Sequence, residues 1–589
     1  MKKTIKNAAV LLLTVLVLFS IVSCELIAGK TPEQTTPQST TPEESTPFGT
    51  TPTPIPDQTT PPQSVTTTPV ATDPIVTDPI VTDPIVTDPI VTDPVVTDPI
   101  VTDPIVTDPI ETTPPEKDPD DEPLIDLEGY TYRAYVRSNN TTGNSMEDGN
   151  PSFYCEDFWV DPSYGEPEDA ISYCVYLRNS TIEREYNVKI CQVNQKGNMA
   201  EELASFYLGG DCFDLTIILA KSAAQAATMG LLQDLNSLPA LLLDQPAYDQ
   251  NSIRELSIAG KLYYLSGDMN ISTMDCLMPT VVNVERYEMF ADAFVEYFEN
   301  PLYSNVYNVV SSGEWTTSTL LAMAELASTD ADTSDGPLGA SRWDDVGYFQ
   351  YAASTLYYFY GAGGRLIEIN ENGEPEFVIQ KEQNQEIFEY LFYTMNKYNR
   401  DVPLPYGYSS ARKTHFITNQ STLFTDMTLW DIRKDLYVNC EFAYGILPTP
   451  TYNEGDDYRS VVHFSNMAHL WAIPTLCGDM FNAQLMMATM AACSDITLTD
   501  STMNAYYYRT LYFAVAPDPA ARRSLDIIRN STVYDIGLLY DWGGWVYELE
   551  KLGEMPSNNY GSLVSTMPFN AIPLLRKTIE QFENPVFPY

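Results

Sequence analysis

Apolar and polar residues alternate along YTYRAYVRS (130–138), which predicts a first strand. ISYCVYLRNSTIEREYNVKICQV then predicts a helix followed by a strand at Val188–Val193, and MAEELASFYLGG predicts a short helix closed by glycine. CFDLTIIL (212–219) is a continuous apolar run, suited to a parallel strand buried on both faces, and AKSAAQAATMGLLQDL follows it with a helical pattern. This strand–helix alternation indicates a doubly wound α/β lobe. Further along, KLYYLSGD (261–268) and PTVVNVERY (279–287) read as strands. Helical patterns dominate 290–440, with TTSTLLAMAELA and QEIFEYLFYTMNKY the clearest. FAYGILPTP and SVVHFSNMAHLWAIP return to strand, and the chain from about 480 reads as helical.

Upstream of residue 126 no such periodicity exists. The unit DPIVT recurs, with Pro74, Pro79, Pro84, Pro89, Pro94, Pro99, Pro104 and Pro109 five residues apart. Each proline removes a backbone donor, so neither a helix nor a central strand survives. Five residues are too few to bury a face as a solenoid repeat does. The expected state is a solvated, polyproline-II-like stalk. Thr, Pro, Ser and Gln dominate 31–70, a linker composition, and the Thr density would suit O-glycosylation. At ~3.1 Å per residue, full extension of such a segment reaches on the order of 300 Å.

The chain opens with MKKTIKNAAVLLLTVLVLFSIVSC. Lys2, Lys3 and Lys6 form a basic start and Ala8–Val22 an apolar run, which predicts a secretory signal rather than a membrane span. The ending Ile21-Val22-Ser23-Cys24 resembles a bacterial lipobox, and that resemblance implies lipidation of Cys24 as the mature N-terminus. The expectation is a protein held at the extracytoplasmic face of the cell membrane by lipid.

Charge narrows the ligand. The formal net charge is −48, of which about −34 belongs to residues 126–589. Such a surface repels nucleic acid and polyanions and permits a neutral or cationic ligand. Besides Cys24 there are eight cysteines: Cys155, Cys174, Cys191, Cys212, Cys276, Cys440, Cys477 and Cys493. None lies in a C-x-x-C pair, which excludes a zinc ribbon or a thioredoxin-like motif. An exported context permits disulfides, whereas Cys174 and Cys191 sit in apolar runs and read as buried free thiols.

The pieces YLRNSTIEREYNVKI, DLTIILAKSAAQAATMGLLQDLNSLP, IAGKLYYLSGD, GEWTTSTLLAMAELA, YGAGGRLIEINENGEPEF and FAYGILPTPTYNE, in this order and spacing, resemble an extracellular solute-binding protein of bacterial ABC importers, of the carbohydrate-binding class. The resemblance covers nearly all of 128–589. It implies an α/β, two-lobed, periplasmic-binding-protein-like (type II) fold with hinge strands, preceded here by the disordered stalk. Residues 1–23 are then the lipoprotein signal, 24–125 the anchored linker and 126–589 the solute-binding domain. Lobe I is expected at about 126–275 and 465–500 and lobe II at about 280–460, with C-terminal helices at 500–589 spanning both. The implied partners are a small-molecule solute, a sugar first, and an ABC permease. No cofactor, metal or nucleic acid is expected.

Ligands of open α/β sheets bind beyond the carboxyl ends of strands. Lys221 and Ser222 follow the strand at 212–219, where maltodextrin-binding relatives place polar contacts; the bland alternatives are a solvated Lys and a capping Ser. Asp268 follows 261–268 and either accepts sugar hydroxyls or caps a turn. Neutral sugars are met by aromatic plates with a few hydrogen-bonding groups. The resemblance places such aromatics at Trp343 and Tyr348 in SRWDDVGYFQY, at Trp430 after LFTDMTL and at Trp542 in LLYDWGGWVY, with core packing the alternative for each. Trp315 is assigned to packing. DADTSDG (330–336) has calcium-loop elements at the wrong spacing and without the closing Glu, and reads as an acidic turn.

No G-x-S-x-G, H-E-x-x-H or P-loop is present, and His415, His463 and His469 are the three histidines. The expectation is a binding protein and not an enzyme. A two-carboxylate glycosidase needs no local motif and stays open, as does a surface adhesin or sensor on the same fold.

Overall fold

The computed structural model describes residues 125–137, 157–160, 166–195, 197–330, 344–351, 353–395, 406–407, 413–462, 468–512, 519–551, 558 and 560–584. The expected signal, Cys24 and the DPIVT repeats lie outside the described residues, as do Trp343, Cys155 and all but Asp330 of DADTSDG.

The first strand, β1 (Tyr130–Val136), buries Tyr132, Ala134 and Val136 on one face and Tyr135 on the other, the mark of a strand covered on both sides. Helix α1 (Ala170–Tyr186) starts where the Asp169 carboxylate accepts from Ser172 N. It stops at Asn187 in the left-handed region (φ 45°), and β2 (Val188–Asn194) follows directly. Asn198 caps α2 (Met199–Gly209) and Gly210 closes it at φ 74°. The apolar strand β3 (Leu215–Leu219) runs without a linker into α3 (Ala220–Thr228).

The chain then passes a short helix, α4 (Ile271–Met274), and builds a second set of strands. Strand β4 (Thr280–Asn283) turns at once into α5 (Val284–Phe298), because the Asn283 side chain accepts from Arg286 N and caps it. After α6 (Thr317–Leu326) come β5 (Val346–Tyr351) and α7 (Ser354–Gly361). The hairpin of β6 (Ile367–Ile369) and β7 (Pro375–Phe377) precedes α8 (Glu382–Met395) and β8 (Tyr406–Gly407). Strands β9 (Thr422–Asp426) and β10 (Tyr444–Leu447) complete the set. Then follow β11 (Ser460–Val461), β12 (His469–Ala472), α9 (Met480–Cys493), α10 (Pro519–Asn530), β13 (Thr532–Val533), α11 (Ile536–Tyr540) and α12 (Tyr560–Glu583).

Two main sheets result. The first has the order β12-β3-β1-β2, with β1 parallel to both β2 and β3 and β12 antiparallel to β3. The second has the order β10-β4-β9-β5-β8, with β5 parallel to β9 and β8 and β4 antiparallel to β9 and β10. The chain leaves the first sheet after β3, builds the second, and returns to finish the first with β12. Two α/β units with such a double crossing form the two-lobed, type II binding-protein-like architecture that the element order implies. One continuous core runs through both units, with Trp315 and Trp471 fully buried in it. Among the described residues, no helix is long and apolar enough to cross a membrane.

Three local expectations differ from the structure. KLYYLSGD is not a strand; it makes single bridges, Leu265 to Trp471 and Gly267 to Tyr248. The strand expected over 279–287 ends at Asn283 because that residue caps a helix. The stretch 290–440, expected to be mainly helical, contains β5 and β9. Both lie in the middle of their sheet with all or nearly all residues buried, so they lack the alternation that would have marked them.

Candidate functional site

The carboxyl end of β3 opens directly into α3. Leu219 stands at the cap position and offers no side-chain acceptor, and Ala220 N donates to Ala468 O (2.9 Å) just before β12. Lys221 is exposed in the first turn of α3, and Ser222 is buried beside it. The charge of Lys221 acts on Asp541, in the turn after α11. Burial raises the Asp541 pKa, while the amide of Val546, the Lys221 ammonium and the amide of Trp545 hold it back. The Asp541 carboxylate accepts from Trp545 N (2.9 Å) and Val546 N (3.0 Å) and so fixes the turn that carries Trp542. Trp542 is 5% exposed; its ring stacks on Tyr540 (4.6 Å, 4°) and its Nε1 donates to Thr578 Oγ1 (3.0 Å). The fold thus gathers Lys221, Ser222 and Trp542 from distant parts of the chain. Trp542 is packed into the core against Tyr540 and leaves no open ring face for a sugar.

Tyr348 and Trp430 flank the carboxyl end of β9. Tyr348 is fully buried, and its hydroxyl donates to the Asp426 carboxylate. Ser354 Oγ (2.5 Å), Thr280 Oγ1 (3.0 Å) and the Tyr358 hydroxyl (3.3 Å) donate to the same carboxylate. Burial, followed by the charge of Asp426, drives both phenols well above their ordinary pKa, so they stay neutral donors. Tyr348 therefore holds the end of the sheet together and presents no open ring face. Trp430 is half-buried, with the Arg433 guanidinium 4.6 Å and the Lys434 ammonium 5.2 Å from its ring centroid. Arg433 in turn pairs with the buried Asp275 (2.6 Å), which also accepts from the Tyr506 hydroxyl (2.9 Å). This network ties the crossing segment after α4 to the second unit and to the C-terminal region.

Asp268 stands apart. It is 3% exposed, pairs with Arg529 (2.5 Å) and accepts from Ile496 N (2.8 Å). Burial raises its pKa to about 6 against the pull of Arg529. Both its oxygens are engaged inside the protein.

The sequence offered no signal for two further features. His469, the first residue of β12, is fully buried, and neither ring nitrogen finds a hydrogen-bond partner among the described residues. Burial and then the charge of Arg137, at the end of β1, keep its pKa well below 6.5, so the ring is neutral. The backbone carbonyl of His469 accepts from Asn270 Nδ2 (2.5 Å) and Thr273 Oγ1 (2.6 Å), which anchors α4 to the first sheet. The second feature is a cavity of about 490 Å³ where the short helix Gln250–Glu255 meets β6. Arg254, Glu255, Arg365, Glu368 and Tyr534 line it, and Glu255 accepts both from Arg365 (3.3 Å) and from Tyr534 N (2.7 Å). None of the sequence-chosen residues borders this cavity. Among the described residues, no group of three or more His, Cys, Asp or Glu is arranged to hold a metal ion.

No protein-family profile matches the chain, and no curated protein does. Solved structures do. An ABC substrate-binding protein from Listeria monocytogenes in complex with cycloalternan is 14% identical, with 76% of this chain and 99% of that one covered at a TM-score of 0.44. A cyclic α-maltosyl-1,6-maltose binding protein from Arthrobacter globiformis is 11% identical, with 76% and 99% covered at 0.48. UgpB from Mycobacterium tuberculosis in complex with glycerophosphocholine is 12% identical, with 72% and 98% covered at 0.44.

Proposed function

We propose that this chain is a lipid-anchored receptor that captures a neutral solute, a carbohydrate first, between its two lobes and delivers it to an ABC permease. The observation that carries the reading is the double crossing of the chain. The chain passes from one parallel-containing sheet to the other near α4 and returns before β12, and α/β proteins bind ligands in crevices beyond the ends of such strands. The strong negative charge of residues 126–589 favours a neutral ligand over an anionic one. The lipobox-like ending at Cys24 and the proline-spaced stalk support display outside the cytoplasm on a long tether.

Thermal unfolding of the purified chain with a panel of neutral mono- and oligosaccharides tests the reading. A bound sugar at about 100 times its Kd adds roughly 2.7 kcal/mol and raises Tm by several degrees. The expected result is a shift with at least one saccharide and no release of reducing ends from it. If no saccharide moves the melt while a peptide does, the carbohydrate reading fails; if a saccharide is cleaved, the glycosidase alternative takes its place.

A further inference from the structure

Two thiols lie near one another at the lower end of the first sheet, on the side away from the ends of β1 and β3 that carry Arg137 and Lys221. Strand β12 pairs antiparallel with β3, Thr216 opposite Ala472, and the pairing continues past both strands: Phe213 N donates to Leu476 O (3.4 Å). This register brings Cys212 alongside Leu476 and Cys477. Side-chain geometry agrees. Cys477 Sγ donates to Asp214 Oδ1 (3.6 Å), and a Cβ added at Gly478 would lie 3.2 Å from that same oxygen and 3.7 Å from Cys212 Sγ. Both cysteines are free thiols and only partly buried, so a small reagent reaches them. Tyr130 and the amide of Arg133 hold the Asp214 carboxylate between them, with the Tyr130 hydroxyl 2.6 Å away.

We propose that Cys212 and Cys477 are a dithiol–disulfide pair that, when oxidised, staples β12 to the lead-in of β3. The oxidant is a small-molecule disulfide. The Cys212 thiolate, its proton given to solvent, attacks one sulfur of the oxidant, forming a mixed disulfide and expelling one thiolate. Cys477, its proton also given to solvent, then attacks Cys212 Sγ; the new S–S bond forms and the second thiolate leaves. Two protein thiols are oxidised, one external disulfide is reduced to two thiols, and the two protons released end on those thiols. Burial, and then the charge of Asp214, pushes the Cys477 pKa far above its ordinary range, which makes it the resolving partner rather than the first to react. The consequence is covalent: the strand that returns from the second unit becomes fixed in the first sheet, and the whole second sheet is enclosed in one loop.

Incubation of the full chain, purified with reductant and then freed of it, with oxidised glutathione tests the proposal. Peptide mapping without reduction is expected to show a single crosslink joining the peptides of Cys212 and Cys477, alkylation is expected to label two fewer thiols, and Tm is expected to rise by several degrees and return on reduction. Cys212→Ser is expected to abolish the crosslink. Because mapping reads the wild-type chain, the test does not depend on the variant folding. Stable glutathione adducts on both cysteines without a crosslink, unreacted thiols, or a crosslink between other cysteines overturns the proposal.

Discussion

Asp268 shows what burial does to a residue chosen for its chemistry. Its sequence neighbourhood offers a carboxylate after an apolar run, and the fold places it against Arg529, 261 residues further on. Its pKa stands at about 6 when folded, above the ordinary 3.8. The folded protein therefore retains a proton that the unfolded chain gives up between about pH 4 and about pH 6. This group's contribution to stability falls as pH rises through that window, by roughly 3 kcal/mol in all at about 1.4 kcal/mol per unit. Asp268→Asn removes the titration, so its urea-unfolding free energy, followed from about pH 4 to about pH 7, is expected to lose that downward component relative to wild type. Parallel profiles would show that Asp268 does not titrate there. Tyr348 and Trp430 carry the same lesson. Their residue types suit sugar stacking, but both are occupied: Tyr348 by Asp426, which only the tertiary fold brings to it, and Trp430 by Arg433 and Lys434, three and four residues further along the same helical stretch.

Elements were legible where local rules suffice. The first lobe's strands and helices from β1 to α3 follow their patterns closely, since α1 and α2 each have a capping side chain and a left-handed stop, and α3 follows directly on the unbroken apolar run of β3. Strand β5 escaped because a strand buried on both faces has no period, and its one sharp constraint is invisible in the sequence. Gly347 lies against α6, where an added Cβ would sit 1.8 Å from Ala324 O and 2.5 Å from Ala324 Cα. Both atoms are backbone and cannot swing aside. Gly347→Ala is expected to push β5 off α6 and cost about 1–3 kcal/mol or more, read as a fall in Tm with the fold otherwise retained. A variant as stable as wild type would mean that the helix and strand separate freely. The segment 261–268 failed in the opposite sense. It has strand-like apolar content, but Gly267 is pressed against the Ala247 carbonyl, and the backbone bridges to its neighbours one residue at a time.

At the scale of the whole molecule, the two-lobed architecture was readable from element order, whereas the site was not. Lys221 and the Asp541 turn that carries Trp542 are brought together by packing of α3 against α11 and α12, which no local pattern encodes. The proposed anchor has its own check. Cys24→Ala is expected to shift the protein from the membrane fraction into the soluble extracytoplasmic fraction of its host, and a variant that stays with membranes would remove lipid attachment at Cys24 from the proposal.

The late position of β12 also sets an order of events during synthesis. Strand β3 is apolar on both faces, and its outer edge stays unpaired until β12, made only after the entire second sheet, comes back to cover it. A ribosome that has delivered everything up to β10 has produced a second unit with all its strands and a first unit without its border. Pairings this remote in sequence form slowly, and an uncovered apolar edge invites association with other chains. The first lobe therefore cannot reach its final form until β12 has emerged. The growing chain stays in a condition that helps passage through a narrow channel and is hazardous wherever nothing shields it.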